Sequence, residues 1–93
     1  MTTTVRIPTI LRQYTGGSAE VQVDPAGPTV AETLRALEAG HPGILARVCD
    51  EQGALRRFVN LYVDDEDVRM AEGLDTKLSD GALVSIIPAV AGG

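Results

Sequence analysis

The sequence has 93 residues, 44% hydrophobic and 23% charged, with a formal net charge of −5. That is the length of one domain with a single modest core, and charges of both signs argue against a disordered chain. No basic cluster exceeds Arg56-Arg57, which excludes a nucleic-acid-binding stripe, and no apolar run approaches the ~20 residues of a membrane span. The lone cysteine, Cys49, excludes an internal disulfide and a thiolate-rich metal or iron–sulfur site. The first residues lack the apolar core of a signal peptide, so the expected compartment is the cytoplasm.

Thr4 to Leu11 reads as a strand, because Val5, Ile7 and Thr9 alternate with Arg6 and Pro8. Pro8 places that strand at an edge or a bulge. Tyr14 to Ser18 supplies turn residues around Gly16-Gly17, and Ala19 to Val23 alternates again, so the two strands form a hairpin. Pro25 to Pro28 breaks the pattern, and a helix comes next. Thr29 with Glu32 makes a capping box, and Val30, Leu34 and Leu37 share one face. Gly40 is the expected C′ residue, and Pro42 blocks continuation.

Ile44, Leu45 and Val48 suggest a short helical turn. Phe58 to Val63 is the strongest β segment, with Val59, Leu61 and Val63 on its core face. Asp64 to Asp67 reads as a turn and Val68-Arg69 as a short extra strand. Leu74 and Leu78 flank another helical turn. Ser79-Asp80-Gly81 leads into a last strand, Leu83 to Ile87, closed by Pro88. The order β, β, α, β, short elements, β implies an α+β layer architecture with a mixed sheet packed on one main helix, the β-grasp arrangement. The expected organisation is one domain over residues 1–88 and a flexible Gly-Gly tail over 89–93.

The last sixteen residues, Leu78 to Gly93, place a leucine before an Asp-Gly turn, then an apolar strand, a proline and a terminal Gly-Gly. This pattern resembles the prokaryotic ubiquitin-like sulfur carriers, the ThiS, MoaD and CysO group. Ala82 departs from it, because the family often has an acidic residue after Asp-Gly. Within the group, the segments Ile7–Arg12, Arg57–Asn60, Asp65–Arg69 and Pro88–Gly93 are most similar to the cysteine-biosynthetic CysO branch. The resemblance implies that the Gly93 carboxylate is adenylated by an E1-like activating enzyme and converted to a thiocarboxylate. That sulfur would then be donated in the synthesis of cysteine or a related sulfur metabolite.

The chain itself would be a protein co-substrate, with no catalytic residue, no metal and no cofactor of its own. ATP would be used by the activating partner. A pyridoxal-phosphate-dependent cysteine synthase, or another sulfur-accepting synthase, and a metal-dependent peptidase would complete the pathway. Two alternatives share the adenylation step: a molybdopterin synthase small subunit and a ubiquitin-like protein modifier.

Gly-Gly suits this chemistry. A carboxylate is a poor electrophile until activated, and residues without Cβ can thread a narrow channel to the activating site. The resemblance thus implies Gly92 and Gly93 as the sulfur-carrying positions, and Phe58, Tyr62, Pro88, Val90 and Ala91 are the expected partner-contacting residues. If Val59, Leu61 and Val63 face the helix, Phe58 and Tyr62 face the other side of the sheet. They then either mark an interface or are covered by loops.

Other residues carry simpler readings. Cys49 reads as a small core residue, since no His or Lys neighbours it to lower its pKa. His41, the only histidine, sits just past a helix end and lacks companions for a metal site. Asp64 to Asp67 is too dense for a calcium loop, and Gly16-Gly17 lacks the Lys-Ser/Thr of a phosphate loop.

Overall fold

A computed structural model describes residues 2–25 and 27–88. The β-branched and aliphatic segments form one five-stranded mixed sheet: β1 (Thr3–Arg6), β2 (Glu20–Val23), β3 (Val59–Val63), β4 (Glu66–Asp67) and β5 (Leu83–Pro88), in the order β2-β1-β5-β3-β4. β1 and β2 are antiparallel. β5 enters between β1 and β3, parallel to β1 and antiparallel to β3. The parallel pair requires a crossover, and the chain between the two strands supplies it through helix α1 (Val30–Gly40).

The alternation of β3 sorts its side chains as the sequence predicts. Val59 and Leu61 are buried beneath α1 with Val5 of β1 and Val84 and Ile86 of β5. Val30, Leu34 and Leu37 close this core from the helix side. Burying a side chain of this size contributes about 1.5–3 kcal/mol.

Several local expectations are corrected. The first strand ends at Arg6 rather than Leu11, and Thr9–Tyr14 forms a 3-10 helix. Pro8 cannot donate to a ladder, its carbonyl accepts the Leu11 N–H at 3.0 Å, and Arg12 Nε satisfies the Ile7 carbonyl at 3.1 Å. The hairpin connection therefore includes that helix as well as Gly16 and Gly17, which take positive φ.

Only half of the capping box forms. Thr29 Oγ1 accepts the Glu32 N–H at 3.2 Å, while the Glu32 carboxylate turns to Arg35 Nη1 at 2.6 Å. The segment entering α1 is instead tied to the loop before β5, Val30 N–H to Thr76 O and Leu78 N–H to Pro28 O.

Gly40 stays helical, and the left-handed turn falls at Gly43, φ +102°. Glu38 causes this, its carboxylate accepting the N–H groups of Gly43 (3.0 and 3.1 Å) and Leu45 (2.9 Å). Those bonds hold the carboxyl below its ordinary pKa. A Cβ at Gly43 would meet the Tyr14 ring at 3.0 Å, so the turn also needs the missing side chain. The chain then enters α2 (Leu45–Val48). The expected extra strand at Val68-Arg69 is a 3-10 turn, and the strand lies two residues earlier, at β4. Asp64 and Asp65, both at positive φ, make the tight hairpin turn that brings Glu66 back opposite Val63.

Candidate functional site

β5 ends at Pro88, opposite Val59. The expected sulfur-carrying residues Gly92 and Gly93, the contact residues Val90 and Ala91, and the tail 89–93 as a unit lie outside the described residues. What the structure places is the root of that tail and the sheet face around it.

α1 covers one face of the sheet; the other is open. On it, register pairs Tyr62 with Ser85, Asn60 with Ile87, and Arg6 with both Glu20 and Ser85. Phe58 is 64% exposed and Ile87 45%, with Tyr62 half-buried. Of the two readings of Phe58, cover by a loop is thus excluded among the described residues. Ile10, on the 3-10 turn after Pro8, is 61% exposed beside the same edge. Arg57 extends its guanidinium to 5.9 Å from the Phe58 ring centroid, within cation–π range. Arg69 braces the far side, donating to Asn60 Oδ1 at 2.8 Å and to the Arg56 carbonyl at 3.0 Å.

Where β5 ends, a groove of about 430 Å³ opens between that strand and the 3-10 turn, lined by Arg6, Pro8, Ile10, Arg12, Ile87 and Pro88. Its walls are apolar and its cations are guanidinium groups. Phe58 and Tyr62 therefore share the open face, while Pro88, in register with the inward-facing Val59, stands at its rim. Ile10 and Ile87 join them, although the sequence pattern does not single them out. Ile87 is legible as an outward slot once Val84 and Ile86 face inward. Ile10 requires the 3-10 turn, which the strand reading hides.

The remaining candidates are structural. Cys49 is 6% exposed, bridges Leu55, and burial, then the nearby Asp50, pushes its thiol pKa up. It lines a second concavity of about 420 Å³ on the helix side, with Leu34, Leu45 and Leu74. His41 caps α1 through its backbone N–H, which donates to the Leu37 carbonyl at 2.9 Å. Asp64 Oδ1 accepts the Leu83 N–H and Asp67 Oδ1 the Arg69 N–H, so the acidic run fastens turns. Among the described residues, no three His, Cys, Asp or Glu side chains group as metal ligands, and no helix is long and apolar enough to cross a membrane.

This geometry has known counterparts. The family model described as the ThiS family matches residues 5–93. The chain belongs to the ThiS family. Sulfur carrier protein CysO of Mycobacterium tuberculosis is 50% identical to this ThiS-family chain, over all of both proteins. The crystal structure of that CysO superposes with a TM-score of 0.86 at 49% identity, covering 95% of this chain and 99% of the other. A chain of the Amycolatopsis orientalis BexX/CysO complex superposes with a TM-score of 0.88 at 49% identity, covering 98% and 99%. The β-grasp, ubiquitin-like fold expected from the element order is thereby shown, together with kinship to the CysO sulfur carriers.

Proposed function

We propose that this chain is a sulfur carrier that works through the carboxylate of Gly93. In this reading an E1-like partner adenylates that carboxylate and a sulfur donor displaces AMP, leaving a thiocarboxylate. The observation that carries the reading is full-length identity of 50% to a CysO sulfur carrier, with the family match running through residue 93. The structure supports it in a second way: an exposed sheet face with an adjoining groove leads to the root of the tail.

The thiocarboxylate needs no base from this chain, because a thioacid is ionised at neutral pH and its sulfur is a soft nucleophile. Its proposed acceptor is an aminoacrylate on a pyridoxal-phosphate-dependent cysteine synthase. A metal-dependent peptidase then releases the new cysteine from the carrier. Those cofactors belong to the partners. The open face around Phe58, Tyr62 and Pro88 is the proposed docking surface for the activating enzyme.

Deleting Gly93 tests this reading. The domain should melt as the full chain does, since the described core is already closed by residues Val5 to Ile86, while sulfur transfer to the acceptor is lost. A shortened chain that still carries sulfur would overturn the reading.

A further inference from the structure

The chain carries a net charge of −5, yet its two concavities are lined in opposite senses. The helix-side hollow holds Glu38, Asp50 and Glu51, and its one cation among the described residues, Arg35, is paired to Glu32 at 2.6 Å. The groove where β5 ends is lined by Arg6 and Arg12 and by no carboxylate of the described residues. Arg6 reaches Glu20 at 3.5 Å across the β1–β2 ladder. Arg12 forms no ion pair among the described residues.

Arg57 and Arg69 are in the same position. Arg69 directs its fork to Asn60 Oδ1 at 2.8 Å and the Arg56 carbonyl at 3.0 Å, Arg12 donates Nε to the Ile7 carbonyl at 3.1 Å, and Arg57 lies 5.9 Å from the Phe58 ring centroid. Every one of these partners is neutral. The three arginines frame one apolar strip, because Asn60 stands opposite Ile87 and Ile87 lines the groove with Ile10 and Arg12. A chain with 13 carboxylates thus leaves three guanidinium groups unpaired among its described residues, all around its exposed apolar side chains. A guanidinium fork matches a carboxylate in charge and in bidentate geometry.

The net charge does not oppose such a match. At physiological ionic strength the Debye length is about 8 Å, and the shortest extent of the domain is 25 Å. The helix-side carboxylates lie across the sheet from the open face. They are largely screened from a partner seated there, and the nearby guanidinium groups decide the sign of the interaction.

We propose that the open face receives an acidic surface of its partner protein, whose carboxylates engage Arg12, Arg57 and Arg69 around an apolar seat for Phe58 and Ile87. The inference rests on the reading of this face as the docking surface for the activating enzyme, and it fixes the chemistry of the enzyme's side. It also orients the encounter. The same acidic surface attracts the open face and repels the helix side, so the chain arrives with the end of β5 toward the enzyme.

The test measures association of the full chain with the activating enzyme by stopped flow, at low and at physiological salt. Arg57→Glu is the main variant, since Arg57 is exposed; Arg12→Gln is the second, and thermal melts check that both fold. Arg57→Glu should slow association about tenfold at low salt, with the difference shrinking as salt rises. Glu51→Lys, in the helix-side hollow, shifts the net charge the other way and should leave the rate nearly unchanged. In a second readout, an Arg57→Lys chain is treated with a zero-length carbodiimide beside the enzyme, and peptide mapping should find the introduced amine joined to an Asp or Glu of the enzyme. Faster association of Arg57→Glu overturns the proposal. So do native rates in both folded arginine variants, a Glu51→Lys chain slowed as much as Arg57→Glu, or an introduced amine that joins no carboxylate of the enzyme. A native chain that does not bind the enzyme removes the docking surface and this proposal with it. A chain that docks as described yet never gains sulfur at Gly93 refutes the carrier reading alone.

Discussion

Replacing Phe58 by alanine separates docking from folding. A phenylalanine side chain offers about 150–250 Å² for burial. With 64% of the residue exposed, roughly 100–160 Å² is left for a partner to cover. At about 25 cal/mol per Å², that surface is worth roughly 2.5–4 kcal/mol if fully desolvated. Ordering costs at the interface reduce this to about 2 kcal/mol, the scale of an aromatic hot spot and about a 30-fold rise in Kd. The folded domain loses little by comparison, at most about 1 kcal/mol, including the Arg57 cation–π contact. Titration calorimetry of native and Phe58→Ala chains against the adenylating enzyme, with matched thermal melts, measures both quantities. Unchanged affinity in a normally folded variant would refute the assignment of the open face as the docking surface.

Glu38→Ala removes the carboxylate that gathers the Gly43 and Leu45 N–H groups. After allowance for solvent screening the loss is about 1–2 kcal/mol, with a fall in Tm of roughly 4–8 °C per kcal/mol. Because the folded carboxyl has a lowered pKa, its stabilisation is complete above the ordinary carboxyl value of about 4.3 and disappears as pH falls through the lowered one. Melts of the two chains should converge in acid; a gap that is constant from neutral to strongly acidic pH contradicts the clamp. Leu61→Ala, at a fully buried core position, should cost about 2–5 kcal/mol in urea denaturation. A cost below 1 kcal/mol, on the ~1 kcal/mol scale of typical substitutions, would deny its central place. Cys49→Ala should load sulfur as the native chain does, since the thiol is buried and its pKa raised; loss of loading would move the sulfur chemistry onto the thiol.

The layer architecture is legible in the sequence because each long element carries a clean period. Val59 and Leu61 alternate on β3, and Val30, Leu34 and Leu37 recur on α1. Both patterns survive folding because their faces meet in the core. The hidden features lie where short-range hydrogen bonds override pattern. The run from Thr9 to Leu11 continues a strand's alternation, yet the Pro8 and Ile7 carbonyls find partners in Leu11 and Arg12 and wind the chain into a 3-10 turn. Gly40 looks like the helix stop, but the Glu38 carboxylate reaches forward and sets the left-handed residue at Gly43. Periodicity carries no sign of a side chain that bonds to backbone five and seven residues ahead. The candidate site is half legible. Phe58 and Tyr62 emerge from the β3 alternation, whereas Ile10 enters the face only through the unforeseen turn.

The measurement that bears most directly on the carrier role is the mass of the intact chain after incubation with an E1-like activating enzyme, ATP and a sulfur donor. The predicted result is replacement of one oxygen by one sulfur, located by fragmentation at Gly93 and absent without ATP. A chain that keeps its original mass with a competent activating enzyme, or sulfur found on Cys49 with Gly93 unchanged, would contradict it.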